Sequence, residues 1–214
     1  MVSTICTQWL IPRLPQFAAL HPRITLNLSV RSEPFAFDES GFDAAIYYGD
    51  RLWPDTEGCM VVPEGPCVPV CSPQLLESAA PRGRGRAHQP VEPAALAALP
   101  LLQQSTRPLA WRQWFDAMGV DAPRALDGPR YELFSMLAQA ATLGMGVALI
   151  PPLLIEAELA SGQLVVACPR ALPGERAYYL VQPAQQAPSP ALAAFGAWLQ
   201  TVVGAADPSA AQGF

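Results

Sequence analysis

The chain has 214 residues, of which 51% are hydrophobic and 14% charged, with a formal net charge of −5. That length and composition describe one large or two small globular domains able to bury a core. The acidic balance argues against a chain that grips a phosphate backbone, which needs a basic face, and no apolar run approaches the roughly 20 residues of a membrane span.

The N-terminus, MVSTICTQWLIPRL, lacks a basic leader before an apolar stretch, so no secretory signal is expected. Leu10, Leu14, Phe17 and Leu20 mark one face of a first helix, with prolines in its opening turns. Ile24, Leu26, Leu28 and Val30 alternate strictly and predict a half-buried strand. The run DAAIYY is a buried strand that stops at Tyr48-Gly49-Asp50, and MVV and CVPVC are further short strands. Gln74 to Ser78 follow a helix-starting Ser72-Pro73 pair.

The segment APRGRGRAHQPVEP reads as a solvated loop, although its three arginines also admit an anion site. Leu101 to Gln104 predict a strand, then AWRQWFDAM a helix closed by Gly119. PRYEL is a candidate strand, FSMLAQAATL a helix ending at Gly144, and VALIP (147–151) a fully apolar strand. PLLIEAEL is helical, LVVA and AYYLVQP are strands, and Leu192, Phe195, Leu199 and Val202 line a final helix. Strands alternating with helices predict an α/β fold with a mostly parallel sheet and helices on its faces.

The usual catalytic patterns are absent: no G-x-S-x-G elbow, no H-E-x-x-H, no phosphate loop ending in Gly-Lys-Ser/Thr. All 13 basic residues are Arg, which removes Schiff-base lysine chemistry. His21 precedes Pro22 at a helix end, and His88 lies in the loop; neither has an evident partner for general-base work. The odd set of Cys6, Cys59, Cys67, Cys71 and Cys168 reads as reduced thiols, and the Cys67/Cys71 pair lacks a nearby His to complete a metal set. The expectation is a non-enzyme without metal or cofactor.

What remains is a set of polar groups at strand ends. Ser3-Thr4 precede the first helix, Tyr48-Gly49 end the DAAIYY strand, Ser105-Thr106-Arg107 follow Leu101–Gln104, and Tyr131, Phe134 and Ser135 span a strand-to-helix turn. Ligands of open α/β sheets bind beyond the carboxyl ends of strands, near helix N-termini. Each hydroxyl taken singly is an ordinary N-cap; together they predict a site for a small, anionic molecule.

The ordered runs WLIPRLPQFAALHPRITLNL, GFDAAIYYGDRLWP, CVPVCSPQLL, LPLLQQSTRPLAWRQWF and QAATLGMGVALIPPLLIEAELASGQLV resemble the effector-binding domain of LysR-type transcriptional regulators, in the subgroup of the glycine-cleavage and β-lactamase-gene activators. The resemblance covers roughly residues 4 to 203. It implies two Rossmann-like subdomains of the periplasmic-binding-protein type (type 2) joined by two crossover strands: residues 1–70 plus 178–214, and residues 71–177. It further implies a ligand between the subdomains, contacting Ser3, Thr4, Tyr48, Gly49, Ser105, Thr106, Tyr131, Phe134 and Ser135. Implied partners are a small-molecule effector and further copies of the chain, as homodimer or tetramer through the Leu10–Leu20 helix and the Ile24–Val30 strand, in the cytoplasm.

The chain departs from the family pattern in several places. The family's helix-turn-helix is not among these residues, so DNA contact is expected only through a segment outside them, and the family's first strand is represented only by MVS, as if truncated. Tyr47 stands where many relatives have Arg. A transporter's solute-binding protein and a non-sensing dimerisation fragment are the alternatives.

Overall fold

The computed structural model describes residues 2–31, 35–79 and 91–205. In chain order the helices are α1 (Val2–Thr4), α2 (Leu14–Leu20), α3 (Phe37–Ser40), α4 (Pro73–Ala79), α5 (Pro93–Leu96), α6 (Ala110–Ala117), α7 (Phe134–Thr142), α8 (Glu156–Ala160) and α9 (Pro190–Ala205). The strands are β1 (Ala45–Gly49), β2 (Thr56–Pro63), β3 (Val68–Cys71), β4 (Leu101–Gln104), β5 (Arg130–Tyr131), β6 (Val147–Ile150), β7 (Val165–Val166) and β8 (Ala177–Pro183). These form two compact units: Ser3–Gln8 with Gly65–Gly174, and Trp9–Glu64 with the described residues from Glu175 onward. The arginine-rich loop, His88 included, falls largely outside the described residues.

The expected first helix is real but irregular. A π-helical stretch, Ile5–Leu10, and a 3-10 turn, Ile11–Arg13, separate α1 from α2. Pro12 and Pro15 lack the N–H groups that would close i→i−4 bonds there, so the backbone shifts to wider and then tighter winding. The shift moves the buried face: Ile5, Trp9, Leu10 and Phe17 are buried, whereas Leu20 is 61% exposed.

In the unit containing Trp9–Glu64, the sheet order is β1–β8–β2 and both ladders are antiparallel. Tyr48 pairs with Tyr178 and Gly49 with Ala177. Phe17, Phe195 and Trp198 meet ring to ring at 5.1–5.6 Å, fixing α9 against α2. The expected strand Ile24–Val30 joins no ladder. Its alternation promised one buried face, yet Leu28 is 45% and Val30 58% exposed.

In the other unit the order is β5–β4–β6–β3–β7. β4 runs parallel to β5 and β6, while β3 is antiparallel to β6 and β7. The mostly parallel sheets expected from the sequence are therefore corrected to one antiparallel and one mixed sheet. The pairing partners are the reason: β8 lies between β1 and β2 and runs against both, and β3 runs against β6 and β7. By contrast, the parallel partners of β4, which are β5 and β6, follow it through the helices α6 and α7. β3, β4 and β6 are buried at every position, as strands covered on both faces should be. Leu101, Val147 and Leu149 join Trp111, Trp114 and Phe115 of α6 in one core cluster. The intervening Leu102, Ala148 and Ile150 point to the opposite face, and α7 packs on β3, β4 and β6.

Candidate functional site

Parallel pairing carries the ends of β4 and β5 to one edge, with Gln104 beside Tyr131. Two turns leave that edge: Ser105-Thr106-Arg107 after β4, and Glu132-Leu133 before α7. The Ser105 N–H donates to the Tyr131 carbonyl at 2.8 Å, so the turns are tied by backbone. Ser105 and Thr106 are exposed, Tyr131 and Ser135 half-buried.

α7 begins without a cap of its own, because Leu133 at the N-cap position has no side-chain acceptor. An uncapped helix start leaves N–H groups unsatisfied. Here the Ser135 N–H donates to Thr4 Oγ1 at 3.3 Å, across 131 residues of sequence. The hydroxyl expected to serve the first helix thus serves α7. Thr4 is fully buried. Beside it, Ser3 Oγ is a buried hydroxyl with no hydrogen-bond partner among the described residues, a state that ordinarily costs about 1–3 kcal/mol.

Phe134 is also buried, at 1% exposure. The Arg107 guanidinium lies over its ring at 5.1 Å and donates through Nη1 to Cys67 Sγ at 3.4 Å. The Tyr131 hydroxyl faces Met145 Sδ at 3.8 Å. Seven of the nine residues singled out from sequence, Ser3, Thr4, Ser105, Thr106, Tyr131, Phe134 and Ser135, belong to this one unit.

Tyr48 and Gly49 belong to the other. The Tyr48 hydroxyl donates to Glu64 Oε2 at 2.7 Å, and Glu64 is itself buried at 2% exposure. The Glu64 N–H donates to the Arg176 carbonyl at 3.1 Å, and the Arg176 guanidinium sits 5.8 Å from the centre of the Tyr48 ring. At Gly49 a Cβ would lie 2.6 Å from the Tyr47 ring, so the glycine makes room for that ring.

Sequence reasoning missed Glu64 and Gln104. A buried acid at the end of a strand gives no periodic signal. Gln104 did, because a polar amide closing the apolar run LLQQ calls for a partner.

Burial raises the Cys6 and Cys168 thiols above their ordinary range and pushes Cys71 to about 12. All three therefore stay protonated near neutrality and are poor nucleophiles and metal ligands. Among the described residues no three His, Cys, Asp or Glu side chains come together. Nor is any described helix long and apolar enough to cross a membrane.

Comparison with known proteins gives a consistent result. The family described as "LysR substrate binding domain" matches residues 1–204. The transcriptional regulator PerR of Escherichia coli K12 is 36% identical over 197 residues, 90% of this chain and 61% of that protein. The transcriptional activator AmpR of Rhodobacter capsulatus is 32% identical over 197 residues, 92% of this chain and 63% of that one. The chain thus spans about three-fifths of these relatives. The solved effector domain of AmpR from Pseudomonas aeruginosa superposes with a TM-score of 0.79 at 28% identity, covering 98% of this chain and 95% of that one. For the AmpR effector binding domain of Citrobacter freundii the TM-score is 0.78 at 25% identity, with 94% of each chain covered.

Proposed function

The chain belongs to the LysR substrate binding domain family, and we propose that it is the effector-sensing part of a cytoplasmic bacterial transcriptional regulator. It binds a small anionic metabolite, and DNA is reached through a helix-turn-helix outside these residues. The observation that carries this reading is the cap supplied to α7 by Thr4. That bond ties α1 to the start of α7, and the Ser105–Tyr131 backbone bond ties the turn before α7 to the turn after β4, where Ser105 and Thr106 offer exposed hydroxyls. Ser3 Oγ adds a hydroxyl that lacks a protein partner among the described residues. In the other unit Tyr48 and Gly49 are retained as candidate contacts, with the Tyr48 hydroxyl oriented by Glu64.

Small ligands bound only by the folded form stabilise it by about 2.7 kcal/mol at a hundredfold excess over Kd. For a domain of this size that raises Tm by roughly 5–10 °C. A thermal-shift screen of amino acids, aromatic acids and cell-wall fragments should find such a compound. The double variant Ser105→Ala/Thr106→Val should lose the shift while its unliganded Tm holds, because both side chains are exposed. A folded chain that responds to no compound in the screen would refute the sensor reading.

For assembly we propose a homodimer or tetramer through the Leu10–Leu20 helix and the Ile24–Val30 segment. Exposed Leu20, Leu28 and Val30 on a stretch that joins no ladder support this. Sedimentation of a monomer at high concentration would count against it.

A further inference from the structure

Two successive glutamines close β4, and both are buried: Gln103 is 2% and Gln104 4% exposed. Neighbouring strand residues face opposite sides of a sheet, so the two amides do different work. Gln103 Nε2 reaches three carbonyls, Asp127 at 2.7 Å, Ala125 at 3.1 Å and Leu101 at 3.3 Å. It anchors the loop after α6, away from the polar edge.

Gln104 uses both ends of its amide. Nε2 donates to the Glu132 carbonyl at 2.9 Å, and Oε1 accepts from the Thr106 N–H at 3.3 Å. These partners fix which end is nitrogen, since a carbonyl only accepts and an N–H only donates. One side chain therefore spans the turn carrying Ser105-Thr106 and the turn leading to Ser135. An amide in an apolar strand is costly to bury unless both ends are satisfied, and here each end is satisfied by a different turn.

We propose that Gln104 is a positioning residue for the effector: it clasps the two turns so that their hydroxyls face one ligand. The proposal rests on the reading of these turns as ligand contacts given above.

The test uses the whole chain with Q104M, which removes both bonds, and Q104E, which keeps an acceptor but replaces the donor. Burial raises the pKa of the new carboxyl. Protonated, it donates to the Glu132 carbonyl and still accepts from Thr106; ionised, it has no hydrogen to give. Amide protection factors are read by NMR on unliganded protein between about pH 5 and about pH 8, so that they span this titration. In Q104M the Ser105, Thr106 and Ser135 amides should lose about tenfold in protection at every pH, the equivalent of one lost hydrogen bond. In Q104E, Ser105 and Ser135 should lose protection at the alkaline end and recover it at the acid end.

The same samples are then titrated with benzoate and with the standard L-amino acids. A compound that raises the wild-type Tm should bind Q104M at least tenfold more weakly and follow the acid recovery in Q104E. If no probe shifts the wild type, the sensor reading fails for these probes, and the protection factors alone decide the clasp. Wild-type protection in Q104M, or an undiminished ligand shift, overturns the proposal.

Discussion

At the residue scale the polar edge depends on a cap delivered from far away in sequence. The Ser135 N–H has Thr4 Oγ1 as its acceptor, and Thr4 is fully buried. Replacing Thr4 by Val keeps the shape and removes the acceptor, so an N–H at the start of α7 is left unsatisfied. The expected loss is about 1–2 kcal/mol, as for other cap deletions, with Thr4→Ser close to wild type; urea unfolding measures both. A Thr4→Val protein as stable as wild type would mean that α7 finds its acceptor elsewhere. The hydroxyls at positions 3, 4, 105, 106 and 135 were visible in the sequence because Ser and Thr at strand ends invite that reading. Which helix Thr4 caps was not visible, because local rules assign a cap to the helix that follows it.

At the element scale, close approaches decide more than propensity. β2 begins at Thr56, earlier than the apolar MVV suggested, because Gly58 interrupts the pattern. The glycine is there for space: a Cβ at Gly58 would lie 1.9 Å from the Leu180 carbonyl oxygen. Glycine inside a strand marks such approaches, and a bulge follows between Met60 and Val62. Gly58→Ala must therefore push β2 off β8, with an expected cost on the order of 3 kcal/mol. Chemical denaturation should show it, with Trp198 fluorescence reporting on this unit. α6, α7 and β6 were legible because Trp111, Trp114, Leu137 and the run Val147–Ile150 follow one period each. The Ile24–Val30 segment shows the limit of that method: alternation describes a strand's faces but supplies no neighbour to pair with. The parallel ladders failed for a related reason: periodicity does not say which strands pair, and β8 runs between β1 and β2, and β3 between β6 and β7, against both neighbours.

At the scale of the whole molecule, burial couples stability to pH through the unit containing the polar edge. Cys6, Cys71 and Cys168, three thiols raised by burial, lie in it. An unfolded thiol titrates near 9, whereas Cys71 in the fold titrates at about 12. Between these values the unfolded chain has released this proton and the folded chain still holds it, so stability falls as pH rises. Below pH 9 the contribution is fully present; above it, Cys71 removes about 1.4 kcal/mol per pH unit. Substituting Cys71→Ala deletes that slope at the cost of a small cavity in β3. Urea midpoints measured with Trp111 and Trp114, both buried in this unit, should therefore decline less steeply above pH 9 in the variant than in wild type. Parallel wild-type and variant curves would show that the folded thiol ionises as freely as the unfolded one. In that event the interior around β3 would have to be wetter than the full burial of Val70 and Cys71 implies.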